Sequence, residues 1–89
     1  MVVPKFTFDA EANGYISEPF RIDEKAMAHI ELASRAPVVI LKQEADGDYA
    51  NYGQTPKSGT AFELNITSNK ENLIRLATPV EVTKCYIIN

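Results

Sequence analysis

The sequence predicts a small all-β protein, either an antiparallel β-sandwich or a jelly-roll-like barrel, with about seven or eight short strands. Short apolar runs recur along the 89 residues, and turn residues separate them. The turn signals return about every ten residues, which is typical of hairpin-rich sheets and not of alternating strands and helices. A chain of this length corresponds to one domain, so we expect residues 1–89 to share a single core.

The first third of the chain predicts a hairpin. Val2 to Phe8 has the composition of a strand, and Pro4 restricts that strand to a sheet edge or to its own start. Asn13-Gly14 is a strong hairpin signal, because both residue types tolerate a positive φ. Tyr15 to Ile22 then returns as an extended segment.

Residues 26–32 alternate between two kinds of side chain, which is the periodicity of a half-buried strand. One face carries Ala26, Ala28, Ile30 and Leu32, and the other carries Met27, His29 and Glu31. The alternative is a helix over Ile22–Ser34, since residues 24–28 all have high helix propensity. The β-rich surroundings favour the strand, but the residues themselves leave both structures open.

The second half of the chain predicts the remaining strands. Val38 to Leu41 is a continuous β-branched run, which indicates a strand buried on both faces. Asp46-Gly47 predicts a second hairpin that leads into Tyr49–Tyr52. Ala61 to Thr67 alternates and should direct its apolar side chains inward. The last part is predicted as a polar turn, a short strand and two closing segments: Asn69–Asn72, Leu73–Ala77, Val80–Val82 and Cys85–Ile88.

Charge and composition argue against several functions. The net charge is −3, and residues 1–48 hold nine acidic and five basic side chains. Phosphate binding needs clustered Lys and Arg, so we expect neither nucleic acid nor an anionic membrane as a partner. Met1 to Lys5 lacks the apolar stretch of a signal peptide, which favours synthesis inside a cell. Cys85 is the only cysteine and should be a small buried hydrophobe.

Candidate chemistry is sparse. Glu44, Asp46 and Asp48 follow one another at a spacing of two, so their oxygens could converge on calcium, although acids at a turn commonly bond their own backbone. His29 is the only histidine, and no serine stands in a nucleophile motif. We therefore expect no catalytic residues, no cofactor and no enzymatic activity, and no metal beyond that calcium candidate.

One group of residues has the composition of a ligand site. Aromatic rings stack on sugar rings, and neighbouring amides supply directional hydrogen bonds. The residues in question are Tyr49, Asn51, Tyr52 and Gln54. The adjoining acidic side chains disfavour a polyanion, so the predicted ligand of this tyrosine-bearing face is a neutral carbohydrate.

The chain ends are apolar. Val2 and Val3 stand near one end, and Ile87 and Ile88 near the other. In so small a protein, such residues are either paired inside the sheet or buried against a neighbouring molecule. The second alternative would make the protein a subunit of an assembly.

The order of segments resembles that of small β-sandwich accessory proteins of tailed-phage virions, meaning head-decoration or fibre-base proteins. The residues that carry the resemblance are Gly14-Tyr15-Ile16-Ser17 with Pro19-Phe20, the strand Pro37-Val38-Val39-Ile40-Leu41-Lys42, the Asp46-Gly47 tip with Tyr49 and Tyr52, and the closing Cys85-Tyr86-Ile87-Ile88-Asn89. The resemblance implies a non-enzymatic virion protein that is made in the host cytoplasm and assembles on a capsid or tail. It also implies capsid or tail subunits as partners and a homo-oligomer, with a trimer favoured.

Overall fold

A computed structural model describes residues 1–68 and 71–89, so Asn69 and Lys70 of the predicted polar turn lie outside the described residues. The described residues form eight strands and no helix, which confirms the all-β prediction. The strands are β1 (Phe6–Asp9), β2 (Gly14–Ser17), β3 (Lys25–Ala36), β4 (Val39–Gln43), β5 (Tyr49–Gln54), β6 (Gly59–Thr67), β7 (Ile74–Thr78) and β8 (Val82–Ile88).

The strands form two antiparallel sheets that pack as a sandwich. One sheet has five strands in the order β1-β2-β7-β4-β5, and the other has three in the order β6-β3-β8. The hairpins β1–β2 and β4–β5 stay within the five-stranded sheet, while every other connection between consecutive strands changes sheet. Because the chain passes repeatedly from one sheet to the other, the two sheets enclose a single core.

Both predicted hairpin turns are confirmed. Asn13 has a φ of 52° and Gly47 has a φ of 91°, and each lies at the tip of a hairpin. An asparagine and a glycine adopt this left-handed conformation at low cost, which is why the sequence signals were informative at these positions.

Residues 26–32 lie in a strand, and the helical alternative is wrong. β3 is the central strand of the three-stranded sheet, and its buried side chains alternate with half-buried ones from Ala26 to Leu32. Ala28 and Ile30 are completely buried against the other sheet. Burial of alternate residues between two sheets outweighs the helix propensity of the segment's first turn.

The largest fully buried side chains of the core are mostly β-branched and come from both sheets. The three-stranded sheet contributes Ile30, Ile66 and Ile87, and the five-stranded sheet contributes Ile74 and Leu76, all at most 2% exposed. Stiff side chains of this kind interdigitate well on pleated surfaces. The inward alternation predicted for residues 61–67 is confirmed, because Phe62, Leu64 and Ile66 all pack against this core.

Two sequence predictions need correction. β4 is not buried on both faces: every residue from Val39 to Gln43 is half-buried, and only Val38 before the strand is fully buried. Ile40 packs against the core, but neither face of the strand is fully covered. The first strand begins at Phe6 and not at Val2, because Val2 forms a separate bridge to Ile87 of the other sheet.

The strand ends also differ from prediction. β2 ends at Ser17, and Phe20 makes only an isolated bridge to Ile74. β8 is continuous from Val82 to Ile88, where the sequence suggested two pieces. Its middle residues Thr83 and Lys84 are exposed, and exposed polar residues in a strand interior weaken the apolar pattern on which the prediction relied.

Candidate functional site

The acidic hairpin tip between β4 and β5 is a self-contained turn. The N–H of Asp48 donates to Asp46 Oδ1 at 3.0 Å, and the N–H of Glu44 donates to the carbonyl of Asp48 at 2.8 Å. Within residues 1–68 and 71–89, no three His, Cys, Asp or Glu side chains are grouped so that they could hold a metal ion. The calcium candidate is therefore corrected: Asp46 bonds the backbone of its own turn, and the three acids do not converge.

A β-bulge in β5 separates the two candidate tyrosines. Ile40 pairs with Gly53 and Leu41 pairs with Asn51, so Tyr52 is the extra residue. A bulge of this kind re-aims the side chains that follow it. The expectation that Tyr49 and Tyr52 form one sugar-binding face depends on the direction in which each ring then points.

The neighbours of the two rings show that they lie on different faces. The Arg75 guanidinium lies 5.3 Å from the Tyr49 ring centroid, while Lys42 Nζ lies 4.8 Å from the Tyr52 ring centroid. Lys42 is paired with the buried Ile74, and Arg75 is the next residue along that strand. Adjacent strand residues point to opposite faces, so Tyr49 lies on the outer face and Tyr52 on the core side.

Three of the four candidate ligand residues line two grooves along β5. Asn51 and Tyr52 line a groove of about 660 Å³, and Tyr52 and Gln54 line another of about 680 Å³ between β5 and β6. The described linings of these two grooves do not include Tyr49. Asn51 Nδ2 also donates to Gln54 Oε1 at 3.3 Å. Asn51, Tyr52 and Gln54 thus border the two grooves, whereas Tyr49 is not part of their described linings.

His29 lies on the outer face of the three-stranded sheet between two carboxylates. Its Nε2 donates to Glu31 Oε2 at 2.7 Å, and its Nδ1 lies 3.8 Å from Glu63 Oε2. The ring stacks on Tyr86, with centroids 5.0 Å apart. The hydrogen bond from His29 lowers the pKa of the Glu31 carboxyl, and the charge of Lys84 adds to the effect.

Cys85 and His29 cannot act as a nucleophile and its base. His29 pairs with Tyr86 across the sheet, whereas Cys85 pairs with Ile30 and points into the core with it. Burial raises the pKa of the Cys85 thiol to about 11, the opposite of what activates a nucleophilic cysteine. The prediction that Cys85 is a buried hydrophobe is confirmed.

A band of exposed apolar side chains runs along the outer face of the three-stranded sheet. The bridge between Val2 and Ile87 directs both of these side chains inward, so the flanking residues point outward. Met1 is 84% exposed, Val3 61% and Ile88 44%. The inward residues therefore follow the first sequence alternative for the chain ends, pairing inside the sheet, while burial of the exposed outward residues against a neighbouring molecule stays a prediction.

We define the outer face by its outward residues in register. β3 contributes Lys25, Met27, His29 and Glu31, β6 contributes Glu63 and Asn65, β8 contributes Lys84, Tyr86 and Ile88, and the N-terminal segment adds Met1 and Val3. The alternation of residues 26–32 predicts that Met27 and His29 share this face. Tyr86 and Met1 lie on the same face because of strand pairing, which the sequence does not show.

No family model, curated protein or solved structure matches this chain. Among the described residues, no helix is long and apolar enough to cross a membrane. The choice between the candidate surfaces therefore depends on their geometry and chemistry.

Proposed function

We propose that this protein is a non-enzymatic structural subunit that acts by assembly, with copies of itself and with capsid or tail subunits, as a head-decoration, fibre or tail accessory protein of a virion. The observation that carries the proposal is the apolar band formed by Met1, Val3 and Ile88 on the outer face. The virion setting is supported by the resemblance of the chain to small β-sandwich accessory proteins.

Burial of this band is the driving force of the proposed assembly. Removal of apolar surface from water contributes about 25 cal/mol per Å². Met1 and Val3, which are 84% and 61% exposed, flank the bridge to Ile87 and lie on the same side of the sheet as Ile88, which is a stronger association signal than scattered exposed apolar residues. Many identical copies on a shell would add avidity to each small contact.

Solution mass tests the assembly of copies. We expect the purified wild-type protein to form oligomers as its concentration rises. Size exclusion with light scattering measures their mass. Ile88→Ser should shift the protein toward monomer, because it removes part of the band. Tyr52→Ser is the matched control, since Tyr52 is 45% exposed against 44% for Ile88 but lies at the grooves of β5. A wild type that remains monomeric up to millimolar concentration would contradict assembly.

The virion setting has a separate test. Peptides of this chain should be found by mass spectrometry in purified particles of the phage that encodes it. Their absence from particles that contain all other structural proteins would contradict the virion location.

A second candidate function is carbohydrate binding at the grooves along β5. The observation that favours it is the Tyr52 ring, 45% exposed, with Asn51 and Gln54 beside it in the two grooves. On a glycan array, Tyr52→Ala should abolish binding, and Tyr49→Ala should leave it intact because Tyr49 lies on the other face. A wild type without any glycan binding, or equal loss in both variants, would contradict this candidate.

A further inference from the structure

The outer face of the three-stranded sheet has an approximate internal symmetry. Ala28 pairs with Leu64 on one side and with Ile87 on the other, and Val2 bridges to Ile87. This row crosses the middle of the face, and its side chains all point toward the core. The outward residues therefore fall into two sets, one on each side of the row.

The charges on β3 are opposite at equal distances from this row. Lys25 stands three residues before Ala28, and Glu31 stands three residues after it. Both point outward, since Ala26, Ala28 and Ile30 are the buried residues of the strand. A half-turn about the row would place each Lys25 over a Glu31.

We infer that two copies of this chain pack face to face through the outer face, related by a two-fold axis along the row Leu64–Ala28–Ile87. In this arrangement the two β3 strands lie antiparallel across the interface, and Lys25 of each copy pairs with Glu31 of the other. The inference rests on the proposed assembly function and specifies its self-contact. The contact closes at two copies, so it gives a dimer in place of the trimer that the resemblance implies.

The other residues of the face also match under the same rotation. Met27 comes over His29 of the second copy, and Ile88 comes over Tyr86, because each pair lies symmetrically about the row. The N-terminal segment follows the same rule, since Met1 and Val3 flank Val2. Glu63 comes over Asn65 of the second copy, so that carboxylate does not meet its own counterpart.

Two other self-contacts are disfavoured by like charges. An axis along β3 would place Lys25 over Lys25 and Glu31 over Glu31. Edge-to-edge antiparallel pairing of two β6 strands about their centre would bring together two copies of Glu63, the middle residue of Gly59–Thr67. Like charges directly opposite destabilise such contacts. Of these three contacts, the rotation about the Ala28 row is the one that brings Lys25 over Glu31 on β3.

The size of the face sets the expected strength. Four strand widths at ~4.8 Å and seven residues at ~3.3 Å cover about 450 Å² per copy. The total of about 900 Å² lies below the usual size of stable interfaces, so we expect a concentration-dependent dimer with a micromolar or weaker dissociation constant. Sedimentation velocity over a wide concentration range is the appropriate measurement.

Charge reversal on β3 tests the register. K25E should weaken the wild-type dimer about tenfold or more, because it converts two symmetric attractions into two repulsions. E31K should do the same. K57E is the matched control, since Lys57 is exposed in the loop between β5 and β6, away from the face, and it should leave the dissociation constant unchanged.

Mixing the two variants is the decisive measurement. Recovery of affinity in the mixture would also show that both variants are folded. An equimolar mixture of K25E and E31K should form a heterodimer close to wild-type affinity, because one pair is native and the other is reversed but still attractive. If the wild type associates but neither variant weakens it, or if the mixture does not recover, the inferred contact is overturned while assembly stands. If the wild type does not associate at all, the proposed assembly of copies fails together with the contact.

Discussion

The hydroxyl of Ser17 accepts a hydrogen bond from the backbone N–H of Leu76 at 2.9 Å, and both residues are completely buried. β2 and β7 pair only through Tyr15 with Thr78 and Ile16 with Ala77, so the ladder ends just before this point. The side chain of Ser17 takes the place of a backbone carbonyl and satisfies a donor that is shielded from water.

Ser17→Ala should destabilise the protein by about 1–3 kcal/mol, because it leaves the buried N–H of Leu76 without its partner. Urea unfolding followed by circular dichroism measures the change. Ser58→Ala is the control, since Ser58 is exposed and its backbone carbonyl, which the substitution keeps, accepts a bond from Arg35. Equal stability of the two variants would show that the Ser17 hydroxyl is dispensable.

Gly14→Ala should also destabilise the fold, by about 1–3 kcal/mol, through overpacking. A Cβ at this position would lie 2.9 Å from the carbonyl oxygen of Thr78 and 3.2 Å from the Cα of Pro79. These are backbone atoms, which cannot rotate away. At Gly53 the nearest atom to an added Cβ is Ile40 Cδ1 at 3.8 Å, so Gly53→Ala should be close to neutral. Thermal unfolding of the two variants makes the comparison, and an equal loss would contradict the steric explanation.

The sequence was most informative where local chemistry decides the structure. The alternation from Ala26 to Leu32 predicted which side chains of β3 are buried, because the two faces of the strand meet different surroundings. The turns at Asn13 and Gly47 were predictable because few residue types adopt a positive φ.

The candidate surfaces depended on features that the sequence does not encode locally. The bulge at Tyr52 is set by the pairing of β4 with β5, whereas the opposite faces of Tyr49 and Tyr52 follow from ordinary strand alternation, because the two residues are three apart. The outer face depends on β8 pairing with β3 and on Val2 bridging to Ile87. Pairings between distant segments follow from packing of the whole chain, so no local pattern predicts them.

Glu31 should make stability depend on pH in the acid range. Its pKa is lowered in the folded protein, chiefly by the hydrogen bond from His29. A carboxyl with a lowered folded pKa stabilises the protein above its unfolded pKa, and that contribution is lost as the pH falls through the folded pKa. We therefore expect the free energy of unfolding to decrease as the pH is lowered through this window. The decrease should be less steep in Glu31→Gln, which lacks the titrating carboxyl.

An NMR titration of the Glu31 carboxyl identifies the cause. His29→Ala should move the pKa of Glu31 back toward its ordinary value, because the largest contribution to the shift is removed. An unchanged Glu31 pKa in His29→Ala would assign the shift to another group, with Lys84 the next to test.

Cys85 should react very slowly with alkylating agents while the protein is folded. Its side chain points into the core, the residue is 7% exposed, and burial raises the thiol pKa to about 11. At pH 8 the reactive thiolate would be about 0.1% of the folded thiol, against roughly a quarter of an unperturbed thiol. Modification by iodoacetamide should therefore be at least about a hundredfold slower in native buffer than in denaturant. Ser58→Cys in a Cys85→Ser background supplies an exposed reference thiol, and a native Cys85 that reacts as fast as this reference would contradict its placement in the core.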